Sequence, residues 1–161
     1  MRPRRRLLVA AGAAALLSAC GFQLRQAPNF GFSRIALTMP GTQLATELRR
    51  QLEGAGNIKI TDAAHAQVVF ESTGEQRERI VVGLTATGEV REFQLRIRLK
   101  FRLHAPDGRE LLPETEIVRQ IDQSYSETAA LSKEAEAAML YRNLQSDIVQ
   151  QVIRRLTTVK P

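Results

Sequence analysis

The clearest pattern in the chain is a strand signal over positions 90–103, with a strict alternation of apolar and polar residues from Phe93 to His104. Apolar side chains occupy the odd positions, and polar or basic side chains occupy the even positions. Because successive side chains of a strand point to opposite faces, this pattern predicts an antiparallel strand with one buried and one solvated face. A turn at 106–108 and a weaker apolar row over 116–125 predict the strand that returns beside it.

Two segments repeat apolar residues at helical spacing. The first, 42–53, has Leu44, Leu48 and Leu52 on one face, with Thr42 as its expected N-cap. The second, 132–156, repeats an apolar residue every four positions and has Ser132 as its expected N-cap. Its apolar row is Leu140, Leu144, Ile148, Val152 and Leu156.

Shorter apolar runs predict three more strands, at 32–38, 57–61 and 68–82. Charged residues at 75–79 predict a bend or bulge within the last of these. The order of elements predicts an α+β fold in one domain. We expect a four- to five-stranded, mostly antiparallel sheet with two helices packed on one face.

The N-terminus has the pattern of a bacterial lipoprotein signal. Four arginines precede an apolar stretch at 7–17, which is too short to span a membrane. Small residues then lead directly into Cys20, the only cysteine of the chain. This predicts a cleaved signal peptide at 1–19 and lipid attached to Cys20. Gly21, rather than an aspartate, is compatible with passage to the outer membrane.

Removal of the signal peptide changes the charge and the expected domain plan. Four of the 23 basic residues leave with it, so the mature chain has 19 basic and 17 acidic residues and is nearly neutral. Binding to nucleic acid is therefore not expected. Residues 20–32 predict a lipidated tether and 33–161 the folded domain. With one cysteine, no disulfide can form within that domain, so its stability must come from apolar burial.

Catalytic chemistry is not indicated by the sequence. His65 and His104 lack the spacing of a metal site or a nucleophilic dyad, and no glycine-rich loop opens a helix. We therefore expect no enzyme activity, no cofactor and no metal.

One charged pattern is more distinctive. Arg96, Arg98, Lys100 and Arg102 stand on one face of the long predicted strand, about 6.6 Å apart. Such a row is typical of a solvated face paired with acids on neighbouring strands. The alternative is a surface for anions, such as lipid phosphates or an acidic partner.

Three segments of the mature chain resemble the LPS-assembly lipoproteins of the LptE family. They are the opening CGFQLR at 20–25, the turn into the long strand GEVREFQL at 88–95, and the helix start at 131–139. The resemblance follows the whole mature chain in order and spacing. It implies a non-catalytic protein that plugs and helps assemble the LptD β-barrel and takes part in inserting lipopolysaccharide into the outer leaflet.

The resemblance also implies a location, a heterodimer and lipid contacts. The protein would be lipid-anchored on the periplasmic side of the cell outer membrane, inside the barrel lumen, and would bind lipopolysaccharide. Lys133 matches one basic position of the family. Ala86 stands at the other, with Arg91 as the nearest basic residue. We hypothesise that Lys133, Arg91 and part of the 96–102 row contact lipid phosphates. The alternative function is a general periplasmic lipoprotein adaptor or chaperone for another envelope protein.

Overall fold

The computed structural model describes residues 28–161; the predicted signal peptide and Cys20 lie outside this range. Five strands and two long helices form the fold, with short 3₁₀ turns at Ala63–His65 and Glu127–Ala129. In chain order the elements are β1 (Arg34–Thr38), α1 (Gln43–Gly54), β2 (Lys59–Ile60), β3 (Val68–Leu84), β4 (Val90–His104), β5 (Glu110–Ser124) and α2 (Ala130–Leu156).

The strands form one sheet in the order β2-β1-β3-β4-β5. The long strands β3, β4 and β5 pair antiparallel, whereas β1 runs parallel to both of its neighbours. The predicted α+β class and strand number are confirmed. The return strand begins at Glu110, earlier than predicted, because it follows the hairpin turn directly. Pro113 is tolerated within it because β5 is an edge strand.

Both helices pack on the face of the sheet that carries the odd residues of β4. Five of these odd residues, from Leu95 to Leu103, have side chains that are at most 1% exposed. Leucines of α1 and the apolar row of α2 complete the core. Phe70 of β3 and Phe101 of β4 stack within it, with ring centroids 4.9 Å apart. The prediction of two helices on one face is therefore confirmed.

The core also includes Phe30 and Phe32, which the sequence pattern assigned to the tether. Gly31 between them approaches the end of α2 closely, and a β-carbon there would lie 2.8 Å from the Val159 carbonyl oxygen. Packing thus begins a few residues before position 33. The sequence pattern missed this because two aromatic residues in a short irregular segment show no period.

A β-bulge divides β3 into two parts. Ser72 pairs with Phe101 and Gly74 with Lys100, so Thr73 is an extra residue. The bulge lies just before the predicted bend at 75–79, and it reverses which positions face the helices. Before it, the even residues Val68 and Phe70 enter the core; after it, odd positions such as Arg77 lie on that side.

The two helices begin differently. Thr42 caps α1 as predicted, accepting a hydrogen bond from the Ala45 amide at 3.2 Å. Ser132 does not cap α2, because the 3₁₀ turn Glu127–Ala129 leads directly into the helix and places Ala129 at the N-cap position. The Ser132 hydroxyl instead donates to the Ala129 carbonyl at 2.8 Å.

Replacing Thr42 with alanine should destabilise the fold by about 1 to 2 kcal/mol. The change removes the cap and also the bond that the Thr42 hydroxyl donates to Glu75 Oε2 at 2.8 Å, which joins α1 to β3. Urea unfolding would measure the loss. Thr46→Ala is the control, since that exposed hydroxyl bonds only within the helix, and we expect it to change stability by less than about 0.5 kcal/mol. Equal losses for the two variants would contradict the capping role.

Candidate functional site

The basic row of β4 lies on the open face of the sheet, opposite the helices. Arg102 forms an ion pair with Glu71 at 2.7 Å, Arg98 with Glu116 at 3.2 Å, and Arg96 with Glu78 at 3.6 Å. Lys100 is exposed, and within the described range it forms no ion pair. Acids on both neighbouring strands thus neutralise three of the four charges, which favours the interpretation of the row as a solvated face.

Lys133 and Arg91 lie together at one end of the molecule. We call this end the tip; it comprises the β3–β4 turn at 85–89, the end of β5 and the start of α2. Lys133 Nζ donates to Glu136 at 2.8 Å and to the Ser124 hydroxyl at 3.1 Å. The amide of the next residue, Tyr125, donates to the Arg91 carbonyl at 2.8 Å. The end of β5 therefore connects the two basic residues.

The row and Lys133 do not form one surface. The row is on the open face of the sheet, whereas Lys133 belongs to the helix that packs on the opposite face. Arg91 is an extra residue of β4, because Leu84 pairs with Val90 and Gly83 with Glu92. Such bulges redirect side chains. The Arg91 side chain is exposed and contacts no acid within residues 28–161.

Exposed apolar side chains surround these basic residues. The exposed fractions are 45% for Val81, 48% for Val82, 60% for Leu84 and 88% for Leu131. Scattered apolar residues are normal on a surface, but four at one end of a small domain form a patch that favours an apolar or amphiphilic contact. The tip thus combines cationic and apolar groups.

Buried Gln123 fixes the position of Lys133. Its side chain is 2% exposed and its amide donates to the Lys133 carbonyl at 2.8 Å. This bond ties the first turns of α2 to β5. The Lys133 side chain is itself partly buried, with an exposure of 21%, so its place at the tip is set by packing.

Two arginines of β3 have a role that the sequence did not indicate. The Arg79 guanidinium lies 3.8 Å from the ring centroid of Phe93 and 2.5 Å from Glu134 of α2. The Arg77 guanidinium lies 3.7 Å from the ring centroid of Tyr141. These charges sit between sheet and helix because the bulge at Thr73 shifts the alternation. Only the phase change in the 68–82 pattern could have revealed them.

The histidines lie in unrelated surroundings. His65 Nδ1 is 2.8 Å from Asp62 Oδ1, and hydrogen bonds from His65 hold the pKa of the Asp62 carboxyl below its usual range. His104 Nε2 lies 3.4 Å from Glu71. Throughout residues 28–161, His, Asp and Glu side chains nowhere gather in threes as a metal site requires. No helix of this range is long and apolar enough to cross a membrane.

Comparison with known proteins identifies the family. The family model described as "LptE: Lipopolysaccharide-assembly" matches residues 32–156, nearly the whole described domain. The chain belongs to the LptE family. The LPS-assembly lipoprotein LptE of Photorhabdus laumondii is 28% identical over 156 residues, which cover 92% of this chain and 83% of that protein. The LptE of Yersinia pestis is 29% identical over 157 residues, covering 92% and 73%.

Solved structures of lipoproteins share this fold. An uncharacterized lipoprotein B from Nitrosomonas europaea is 31% identical, with a TM-score of 0.74 over 85% of this chain and 90% of that one. The rare lipoprotein B of Shewanella oneidensis, at 23% identity, shares the fold with a TM-score of 0.69 over 78% of this chain and 95% of that one. The resemblance seen in the sequence is confirmed.

Membership of the LptE family assigns the protein a role in lipopolysaccharide transport as an outer-membrane lipoprotein. Proteins of this family are non-catalytic components of lipopolysaccharide transport, which fits the expectation that the protein is not an enzyme.

Proposed function

We propose that the protein is the lipid-anchored partner of the LptD β-barrel, lies within the lumen of that barrel, and takes part in inserting lipopolysaccharide into the outer leaflet. The observation that carries this proposal is the LptE family match across nearly the whole folded domain. The open sheet face also supports it, since polar and charged residues that pair with one another suit the polar interior of a large barrel.

The arrangement of the chain ends suits an anchored plug. Residues 30–32 pack beside Val159 at the end of α2, and the tip lies at the start of that helix. A helix of 27 residues is about 40 Å long. The tip is thus held about one helix length from the end where the chain leads back to Cys20. Lipid on Cys20 would hold the end opposite the tip, where residues 30–32 pack beside Val159, on the periplasmic side of the outer membrane.

At the tip, we assign lipopolysaccharide contacts to Lys133 and Arg91. The Arg91 charge would bind a phosphate, and Lys133 would bind one in place of its present partner Glu136; the exposed apolar residues beside them would contact acyl chains. The row at 96–102 is the second candidate, and Lys100 is its member without an ion pair among residues 28–161.

Co-purification tests the barrel partnership. The lipidated full-length protein, expressed in a Gram-negative host together with the LptD of its own source, should recover that barrel in a stable complex of one copy each. Recovery of soluble periplasmic proteins without the barrel would contradict the proposal and support the adaptor or chaperone alternative. Depletion of the protein should also remove lipopolysaccharide from the cell surface.

Charge reversal tests the lipid contacts. The double variant Lys133→Glu and Arg91→Glu should weaken binding of purified lipopolysaccharide by about tenfold or more, since each charge-assisted hydrogen bond contributes about 1.5 to 3 kcal/mol. Folding should persist, because an acid in the first turns of a helix is favourable. Lys133→Arg, which keeps the charge, should bind normally.

Lys100→Glu is the matched variant on the opposite face and tests the second candidate. It changes the charge by the same amount per residue, and within residues 28–161 Lys100 has no ion pair to lose. If only this variant weakened binding, the contact would lie on the row; if no variant did, both assignments would be wrong.

A further inference from the structure

One half of β3 is an open edge of the sheet. Strand β1 pairs only with residues Val68 to Glu71 of β3, before the bulge. The N-cap of α1 contacts Glu75, two residues beyond the bulge. From Arg77 to Leu84, β3 pairs with β4 on one side, and no strand of the described range covers the other side. On that side the Tyr141 hydroxyl donates to the Glu78 carbonyl at 2.7 Å. We call residues 77–84 the free edge.

A groove runs along this free edge beneath α2. One cavity of about 360 Å³ lies between α1 and α2 and is lined by Arg77, Tyr141 and Arg142, among others. A second, of about 330 Å³, is lined by Arg77, Arg79 and Tyr141. Arg77, Ala138 and Tyr141 line both cavities, which makes them parts of one groove. The groove thus has a strand edge on one side and a helix on the other.

The groove carries uncompensated positive charge. Within residues 28–161, Arg77 stacks on Tyr141 but contacts no acid, and Arg142 is exposed and forms no ion pair. Two acids also line the groove. Glu134 pairs with Arg79, and Glu47 is bound by Arg50 at 2.6 Å and accepts a further hydrogen bond from Gln51. These hydrogen bonds hold the pKa of Glu47 below its usual range, and its charge is already committed to Arg50. The groove therefore offers two guanidinium groups to an anion.

We propose that the free edge and this groove together bind an extended acidic segment of the LptD barrel by strand addition. The segment would pair its backbone with residues 79–84 of the free edge, because the Glu78 carbonyl already accepts a hydrogen bond from Tyr141. Its carboxylates would bind Arg77 and Arg142. An unpaired strand edge supplies backbone donors and acceptors that only a polypeptide can satisfy along its length. Exposed Val81 and Val82 would contact alternate side chains of the added strand. The identity of the partner rests on the proposed function; the surface and the acidic chemistry come from the geometry.

The test uses the lipidated full-length protein co-expressed with the barrel. The double variant Arg77→Glu and Arg142→Glu should lower the amount of co-purified barrel by about tenfold or more, because like charges would meet in the groove. Arg49→Glu with Arg154→Glu is the matched control. Both of these exposed helix arginines lie away from the groove, and the change in charge is the same. This control should bind the barrel normally.

Hydrogen exchange supplies a second readout that does not depend on a substitution. Amides of the free edge should exchange more slowly in the wild-type complex than in the isolated protein, while β5 serves as an internal comparison. Unchanged exchange at 77–84 would overturn the proposal even if the double variant bound poorly.

The outcomes separate this inference from the proposed function. If the wild-type protein recovers no barrel, both fail. If the wild type and the double variant recover the barrel equally, only the groove assignment fails. If the double variant keeps the barrel but loses lipopolysaccharide, the groove is a lipid phosphate site and strand addition is wrong. Urea unfolding of the double variant should match the wild type within about 1 kcal/mol.

Discussion

Replacing Phe101 with alanine is expected to destabilise the fold by about 3 to 5 kcal/mol. Phe101 is fully buried on β4, the middle one of the three long strands, and stacks on Phe70, so its loss leaves a cavity that the surrounding sheet cannot fill. Domains of this size have about 5 to 15 kcal/mol of stability in total, and a chain with one cysteine has no internal disulfide to compensate.

Equilibrium urea unfolding of the soluble mature domain would measure this effect as a lower midpoint at an unchanged slope. Leu84→Ala is the matched control, because it also shortens a large apolar side chain of the β3–β4 hairpin but one that is 60% exposed. We expect the control to change stability by less than about 0.5 kcal/mol. A loss below about 1 kcal/mol for Phe101→Ala would contradict the central place of the stack in the core.

Replacing Cys20 with serine is expected to abolish lipid attachment altogether. A hydroxyl does not substitute for the thiol that accepts the diacylglyceryl group. Each buried methylene of an acyl chain contributes about 0.8 kcal/mol to membrane binding, so the loss of all chains removes the anchor. Incorporation of labelled palmitate and recovery in the outer-membrane fraction should both fall to background.

Ser18→Ala is the control for this experiment, since it keeps a small residue before the cleavage point. That variant should be labelled and localised like the wild type. Normal labelling of the Cys20→Ser variant would show that lipid is attached elsewhere and would remove the basis of the anchored arrangement. Cys20 lies outside the described residues, and this prediction comes from the sequence alone.

Local sequence patterns determined most of the strands and helices that carry the candidate functional residues. The strand signal at 90–103, with its alternation from Phe93 onward, predicted β4 almost residue by residue, because a strand with one buried face has a period of two. The leucines of α1 and its Thr42 cap were predicted correctly, since caps and helical periods depend on neighbours within a few positions. The three segments that resemble the LptE family were also visible in the sequence.

Contacts between distant residues were decided only by the tertiary structure. Arg79 meets Glu134 across 55 positions and Tyr141 meets the Glu78 carbonyl across 63; no local pattern encodes such pairs. The bulge at Thr73 brought Arg77 and Arg79 under α2, and the short parallel pairing of β1 left the second half of β3 with a free edge.

The basic residues show the same division. The sequence predicted the 96–102 row and its solvated face, because position along a strand sets the direction of each side chain. Register with β3 and β5 decided that Glu71, Glu78 and Glu116 neutralise most of that row. Packing of α2 on the opposite face separated Lys133 from the row and joined it to Arg91 at the tip. Residue type and spacing thus determined which charges exist, and long-range packing decided which of them share a surface.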